Sequence, residues 1–240
     1  MNEIFRIKEN GFDEVRKQVL IKILVIALMA MSFGLLISFF NTESTEEFFE
    51  TLPIIMLFLV VSMFIGFRSA IKRYKSFFES YQLNFADKNI TREQQKTPAL
   101  TIQFSDIQSI SQNKKGDYTI KGKTAHETIY IPSQIENNER LQSKLNQIRP
   151  VTEQNQKTFD QKYAIPLMII NLVCMAVVYI SSNKILVGIC AVAVSFILIR
   201  SSIIIIKNKN IDSRTKRGVY YTGLVLLSII IVAIMKIAAF

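Results

Sequence analysis

The side chains best suited to chemistry are one histidine, His126, a carboxylate at a strand entry, Asp106, two thiols, Cys174 and Cys190, and two polar groups inside apolar runs, Asn171 and Arg200. The chain has no second His, so a histidine acid, base or metal centre at His126 would need other residue types to complete it. The surrounding pattern points instead to a solvent-facing residue of a strand over 124–131. Asp106 precedes Ile107 and suits a turn better than a nucleophile. The cysteines lie in apolar stretches without CxxC or Cys/His spacing. That pattern predicts buried thiols acting as small apolar residues, with neither a disulfide framework nor a zinc site. The GxGxxG, GxxxxGK(S/T) and GxSxG signatures are all missing. The expectation is a non-enzymatic protein without cofactor or metal.

Asn171 and Arg200 fit a polar path, since ionisable groups within a membrane often mark functional routes. A small-molecule or ion transporter using the C-terminal helices is therefore the alternative reading. Against it, the apolar spans hold no Asp or Glu. Arg200 also lies about two turns from a helix end, where a long side chain snorkels to the headgroups. Lys22 and Lys236 stand nearer still to helix ends and suit interfacial anchoring.

The net charge is +10, and basic clusters stand beside apolar stretches: Arg68, Lys72, Arg73 and Lys75, and then Lys207, Lys209, Arg214, Lys216 and Arg217. In a membrane protein such clusters first mark cytoplasmic loops, not nucleic-acid binding. Each basic side chain near an anionic leaflet contributes about 1 kcal/mol before screening. Lys72, Arg73, Lys209 and Arg217, with Lys114 and Lys115 of a strand turn, are thus candidate contacts for anionic lipid or a protein partner.

These residues are positioned by apolar segments. A membrane helix needs about 20 mostly apolar residues, and five stretches qualify: 19–40, 52–71, 163–183, 185–206 and 219–239. The first run is too long for the apolar core of a signal peptide, and no A-x-A site follows it, so it reads as a lasting membrane helix. Lys and Arg crowd alternate loops, while 41–51 carries Glu43, Glu46, Glu47 and Glu50 and no basic residue. The positive-inside rule then places the N-terminus and the segment 72–162 in the cytoplasm and the C-terminus outside. The organisation expected is a cytoplasmic N-terminal segment 1–18, a two-helix membrane hairpin 19–71, a folded cytoplasmic domain 72–158 and a three-helix membrane region 159–240.

The inserted domain has the period of half-buried strands. Tyr81, Leu83 and Phe85 alternate with polar residues, as do Leu100, Ile102 and Phe104, Tyr118 and Ile120, and Ile129 and Ile131, with Gly116 and Asp117 at a turn. After Pro132, Ser133 and Glu136 have capping-box spacing, Leu141, Leu145 and Ile148 share a helical face, and Pro150 marks its end. A small curved antiparallel sheet closed by one C-terminal helix is predicted. The pattern Ile102-Gln-Phe104-Ser-Asp106-Ile107, Gly116-Asp-Tyr118, Ile129-Tyr-Ile131-Pro132 and a helix with Leu141 and Leu145 resembles the pleckstrin-homology-like (PH-like) domains of bacterial YcxB-like membrane proteins. The resemblance covers Phe77 to about Pro150 and implies a fold, a preceding pair of membrane helices and the bacterial cytoplasmic membrane; it carries no ligand residues.

Small residues recur every four positions at Ala30, Gly34 and Ser38 and at Ser62, Gly66 and Ala70. Such spacing suits close helix packing, within one chain or in a homo-oligomer. Together the expectation is an α-helical polytopic membrane protein of five spans with an inserted PH-like domain that binds a protein partner or the membrane surface.

Overall fold

The structure is a computed structural model describing residues 3–124, 127–153 and 159–238. His126 lies outside the described residues. The chain divides into two compact units, one formed by residues 1–19, 71–158 and 206–216 and the other by 20–70, 159–205 and 217–240.

The first unit contains β1 (Glu3–Arg6), β2 (Gln82–Phe85), β3 (Asn89–Glu93), β4 (Leu100–Gln103), β5 (Ser109–Gln112), β6 (Tyr118–Lys121), β7 (Thr128–Ile131), α3 (Asn138–Ile148) and β8 (Val151–Glu153). They form two four-stranded sheets, ordered β1-β2-β3-β4 and β7-β6-β5-β8. Every pair is antiparallel except β5 with β8. Alternation along the strands sends one side-chain set inward. Leu83 and Phe85 of β2, Leu100 and Ile102 of β4, Tyr118 and Ile120 of β6, and Ile129 and Ile131 of β7 are all buried. The apolar stripe of α3, Leu141 and Leu145, joins the same core.

The N-terminal segment, in which the sequence pattern shows no strand, supplies the edge of the first sheet. Ile4 pairs with Asn84 and Phe5 with Leu83, and the buried Phe5 ring meets Phe85 edge-on at 5.4 Å. The helices that follow begin before the apolar stretches and run beyond them: α1 spans Gly11–Asn41 and α2 spans Thr45–Glu79. Phe12, from the polar end of α1, is buried against Tyr74 and Phe78 of α2.

The expected Ser133/Glu136 capping box does not form. Helix α3 begins at Asn138 behind Asn137, which is left-handed at φ 52° and makes no side-chain cap. The preceding residues form turns around a single bridge and are held by other bonds: Ile135 bridges to Ile7, and the Glu136 N–H donates to the Arg6 carbonyl at 2.8 Å. Burial of Ile135 in the core outweighs what a side-chain cap would contribute.

The turn at Gly116 forms as expected. Asn113 Oδ1 accepts from the N–H groups of Lys115 and Asp117, and Asp117 accepts from Asn113 Nδ2 and from the N–H of Ser133. Gly116 sits at φ +86°, a conformation that side chains disfavour. Gly116→Ala is expected to cost the first unit about 1–2 kcal/mol, read as a lower denaturant midpoint; an unchanged midpoint would mean that the turn relaxes freely.

The second unit holds the apolar parts of α1 and α2, then α4 (Phe159–Ile180), α5 (Lys184–Lys207) and α7 (Val219–Ala238); a short α6 (Ser213–Arg217) precedes α7. Val178, Val187, Ala191, Val194, Ile229 and Ala233 bury one another where α4, α5 and α7 meet. Tyr179 Oη and Ser228 Oγ share a hydrogen bond of 2.9 Å, and Lys236 Nζ donates to the carbonyls of Tyr179 and Ser181 at 2.7 and 3.0 Å. Lys236 therefore satisfies carbonyls freed at the end of α4. Cys174 and Cys190 are free, half-buried thiols.

Four described helices are long and apolar enough to cross a membrane: Gly11–Asn41, Thr45–Glu79, Lys184–Lys207 and Ser213–Ala238. The expected span 163–183 begins in α4 but runs past its end at Ile180, and the apolar stretch of the helix, Ile165–Ile180, is shorter. At Gly34 and Gly66 nothing beyond the neighbouring residues and the helix's own backbone lies within 4 Å of where a Cβ would stand. The faces containing Ala30 and Gly34 of α1 and Ser62 and Gly66 of α2 are thus open at both glycines.

Candidate functional site

Three candidate contact residues of the first unit, Lys72, Arg73 and Lys209, fall on segments that join it to the long helices, and two, Lys114 and Lys115, fall in a turn between strands. Lys72 and Arg73 are exposed on α2 just after residue 71, where the unit begins, and Lys209 is exposed in the segment 206–216. Lys114 and Lys115 are exposed at the β5–β6 turn, and Lys115 Nζ donates to Gln18 Oε1 at 3.3 Å, near the start of the apolar part of α1. Arg217 ends α6 and is exposed.

The segment 206–216 does more than link α5 to α6; it is fastened to the strands. Arg92 Nη2 donates to the Lys209 carbonyl at 3.1 Å, Asn210 Nδ2 to the Thr128 carbonyl at 2.7 Å, and Ser213 donates through both N–H and Oγ to the Lys96 carbonyl at 3.0 Å. Asp212 starts α6 by accepting from the N–H groups of Arg214 and Thr215 and from Thr215 Oγ1. Partial burial disfavours its charge, but these bonds from Thr215 and Arg214 and the nearby cation of Arg73 hold its pKa below the usual carboxylate value. Arg73 and the segment containing Lys209 are therefore electrostatic neighbours.

Arg92 carries the centre of this arrangement. Only 1% exposed, it points inward from β3 beside Ile90, and its Nη1 donates to Thr97 Oγ1 at 2.5 Å. Its Nε has no hydrogen-bond partner among the described residues. Burial pulls its pKa down while Tyr81 opposes that shift, and an arginine remains charged in either case. Buried Tyr81 donates its hydroxyl to the Tyr130 carbonyl at 2.8 Å, and desolvation drives its pKa far upward. Sequence reasoning missed Arg92, Asn210 and Ser213. The strand period contained a signal for the first, because Ile90 and Arg92 must share a face.

Asp106 occupies the turn assigned to it, ending a 3-10 turn over Phe104–Asp106, where Lys123 Nζ approaches to 2.7 Å and lowers the carboxyl pKa. No group of three or more His, Cys, Asp or Glu able to hold a metal occurs among the described residues.

In the second unit Asn171 of α4 and Arg200 of α5 line one cavity of about 680 Å³ with Leu167, Phe196, Ile197 and Ser201. Asn171 Oδ1 is buried without a partner among the described residues, and Nδ2 has a weak contact to Met175 Sδ at 3.9 Å. The two polar residues singled out from sequence are thus brought together, although most of the lining is apolar. No family model matches this sequence, and no match was found among curated proteins or solved structures.

Proposed function

We propose that this protein is a non-enzymatic, multi-pass protein of the bacterial cytoplasmic membrane whose first unit is a PH-like domain held at the inner leaflet, where it reads anionic lipid. Five spans, with α4 as the third, give a cytoplasmic N-terminus and an external C-terminus. The observation that carries the reading is that the sheet unit is assembled from segments running directly into apolar helices, with Lys72, Arg73 and Lys209 beside those junctions. Lys114 and Lys115 share this neighbourhood through the Lys115 bond to Gln18. At about 1 kcal/mol per basic group before screening, such a set favours anionic headgroups over neutral ones by an amount that salt reduces.

The test compares the full-length protein in nanodiscs with and without phosphatidylglycerol. Hydrogen exchange in the β5–β6 turn and in 206–216 is expected to slow in the anionic bilayer. That difference is expected to vanish when Lys72, Arg73, Lys114, Lys115, Lys209 and Arg217 are all replaced by Ala. Equal exchange of the native chain in both bilayers overturns lipid reading. Loss of a co-purifying cytoplasmic protein on the same replacements, without lipid dependence, would assign the surface to that partner instead.

The transporter reading has one observation in its favour, the cavity shared by Asn171 and Arg200. Its mostly apolar lining and the lack of Asp or Glu in the spans give an ion or polar solute little to exchange its hydration for.

A further inference from the structure

The chain's two thiols meet, although nothing in their sequence spacing suggests a pair. Cys174 lies six residues before the end of α4 at Ile180, and Cys190 six residues after the start of α5 at Lys184. The short connection 181–183 makes α4 and α5 an antiparallel pair. At 1.5 Å per residue both cysteines stand about 9 Å from that connection, at one level of the pair. Their faces agree as well. Cys174 is one turn from Val178, and Cys190 is one turn from both Val187 and Val194. Both thiols pack against the core that these valines form with Ala191, Ile229 and Ala233. There Cys190 interacts directly with Cys174, the titratable side chain that it faces.

Two neighbouring thiols can hold a soft cation or join to each other, and the apolar surroundings decide between these. A Cu(I) ion between two thiolates leaves a net negative charge among valines and isoleucines, which such surroundings penalise, whereas a disulfide is neutral. We infer that Cys174 and Cys190 are a site of reversible oxidation, where a disulfide staples α4 to α5. Both S–H bonds break, one S–S bond forms, and two electrons and two protons pass to the oxidant. Access and charge point to a quinone, which leaves as the hydroquinone. Exposed Val173, Ile189 and Val192 give the neighbourhood an apolar surface suited to a lipid-soluble carrier. The same surroundings disfavour the thiolate that a soluble disulfide or peroxide requires. A quinone takes up a proton with each electron, so no net charge is left in the site. Oxidation closes residues 174–190 into a covalent ring and keeps α4 and α5 from separating at that level. The inference concerns α4 and α5 alone and stands apart from lipid reading by the sheet unit.

The test is the intact mass of the full-length protein in phosphatidylcholine vesicles, incubated with a fully substituted ubiquinone and then denatured in N-ethylmaleimide. The native chain is expected to lose two hydrogens and to take up no maleimide, with one hydroquinone formed per chain. Dithiothreitol should restore both labels. Cys174→Ser and Cys190→Ser should each keep one label and form no hydroquinone beyond that of empty vesicles. Hydrogen exchange in 174–190 is expected to slow on oxidation and to recover on reduction. Two labels on the quinone-treated native chain overturn the site, a result that needs no variant to fold. Disulfide-linked pairs of chains in place of the ring would show that the two thiols do not pair within one chain, and overturn it as well. Unchanged exchange in the oxidised chain would mean that the bond has no hold on the helices, and would end the staple.

Discussion

Leu141→Ala is expected to destabilise the sheet unit by about 2–5 kcal/mol, the cost of removing a buried leucine and leaving a cavity behind. Leu141 and Leu145 are fully buried, and they are the residues through which α3 reaches the core shared by both sheets. Glu3, the first residue of β1, holds the outer face of α3 by ion pairs to Arg140 and Lys144 at 2.5 Å, but these are partly exposed and contribute little. The apolar face must therefore supply most of the docking energy. Hydrogen exchange of the full-length protein reads the effect strand by strand: β5, β6 and β7 should lose protection together, while α5 and α7 keep theirs. Loss confined to α3 would mean that the sheets are stable without it.

The second large effect is expected at Arg92, and it is local. A hydrogen bond to a charged group is worth about 1.5–3 kcal/mol, so Arg92→Leu should speed exchange in 206–216 by roughly ten- to a hundredfold. Global stability should change much less, because a buried cation exchanged for a packed apolar side chain is often neutral or stabilising. The variant leaves the Lys209 carbonyl without its donor, while the Asn210 and Ser213 bonds remain. Unchanged exchange in 206–216 would mean that those remaining bonds alone fasten the segment.

The strands that could be read from the sequence are those whose alternation is clean. Tyr81, Leu83 and Phe85, or Tyr118 and Ile120, mark a buried face without ambiguity because polar residues separate them. β3 hid itself, since its inward set is Ile90 and Arg92 and a charge on the core face breaks the apolar pattern. β1 was obscured differently. Arg6 and Lys8 resemble orientation signals beside a membrane helix, and nothing local tells that Phe5 will find Phe85 far along the chain. β8 is only three residues long and pairs parallel with a strand that precedes α3, so local pattern gives little hold on it. The capping-box spacing was a true local preference overridden by the burial of Ile135. Of the candidate site, the exposed basic residues were legible because topology and lipid attraction both require them at helix ends. Asn171 and Arg200 were legible as exceptions to their apolar surroundings. The ties from 206–216 to the strands were not, because they run from side chains to backbone carbonyls, and any sequence offers those.

The edge strand β1 also bears on how the protein is made. It leaves the ribosome before both long helices, but its partner β2 emerges only after them, and the segment that receives the Arg92 bond follows a further pair of helices. The sheet unit is therefore complete only after residues 206–216 have been made, and β2 stays open along one side until the first residues pair with it. An excised piece covering residues 72–158 would keep that open side permanently and offer it to a neighbouring copy. Genetic fusion of the first ten residues to such a piece is the natural way to recover it as a monomer.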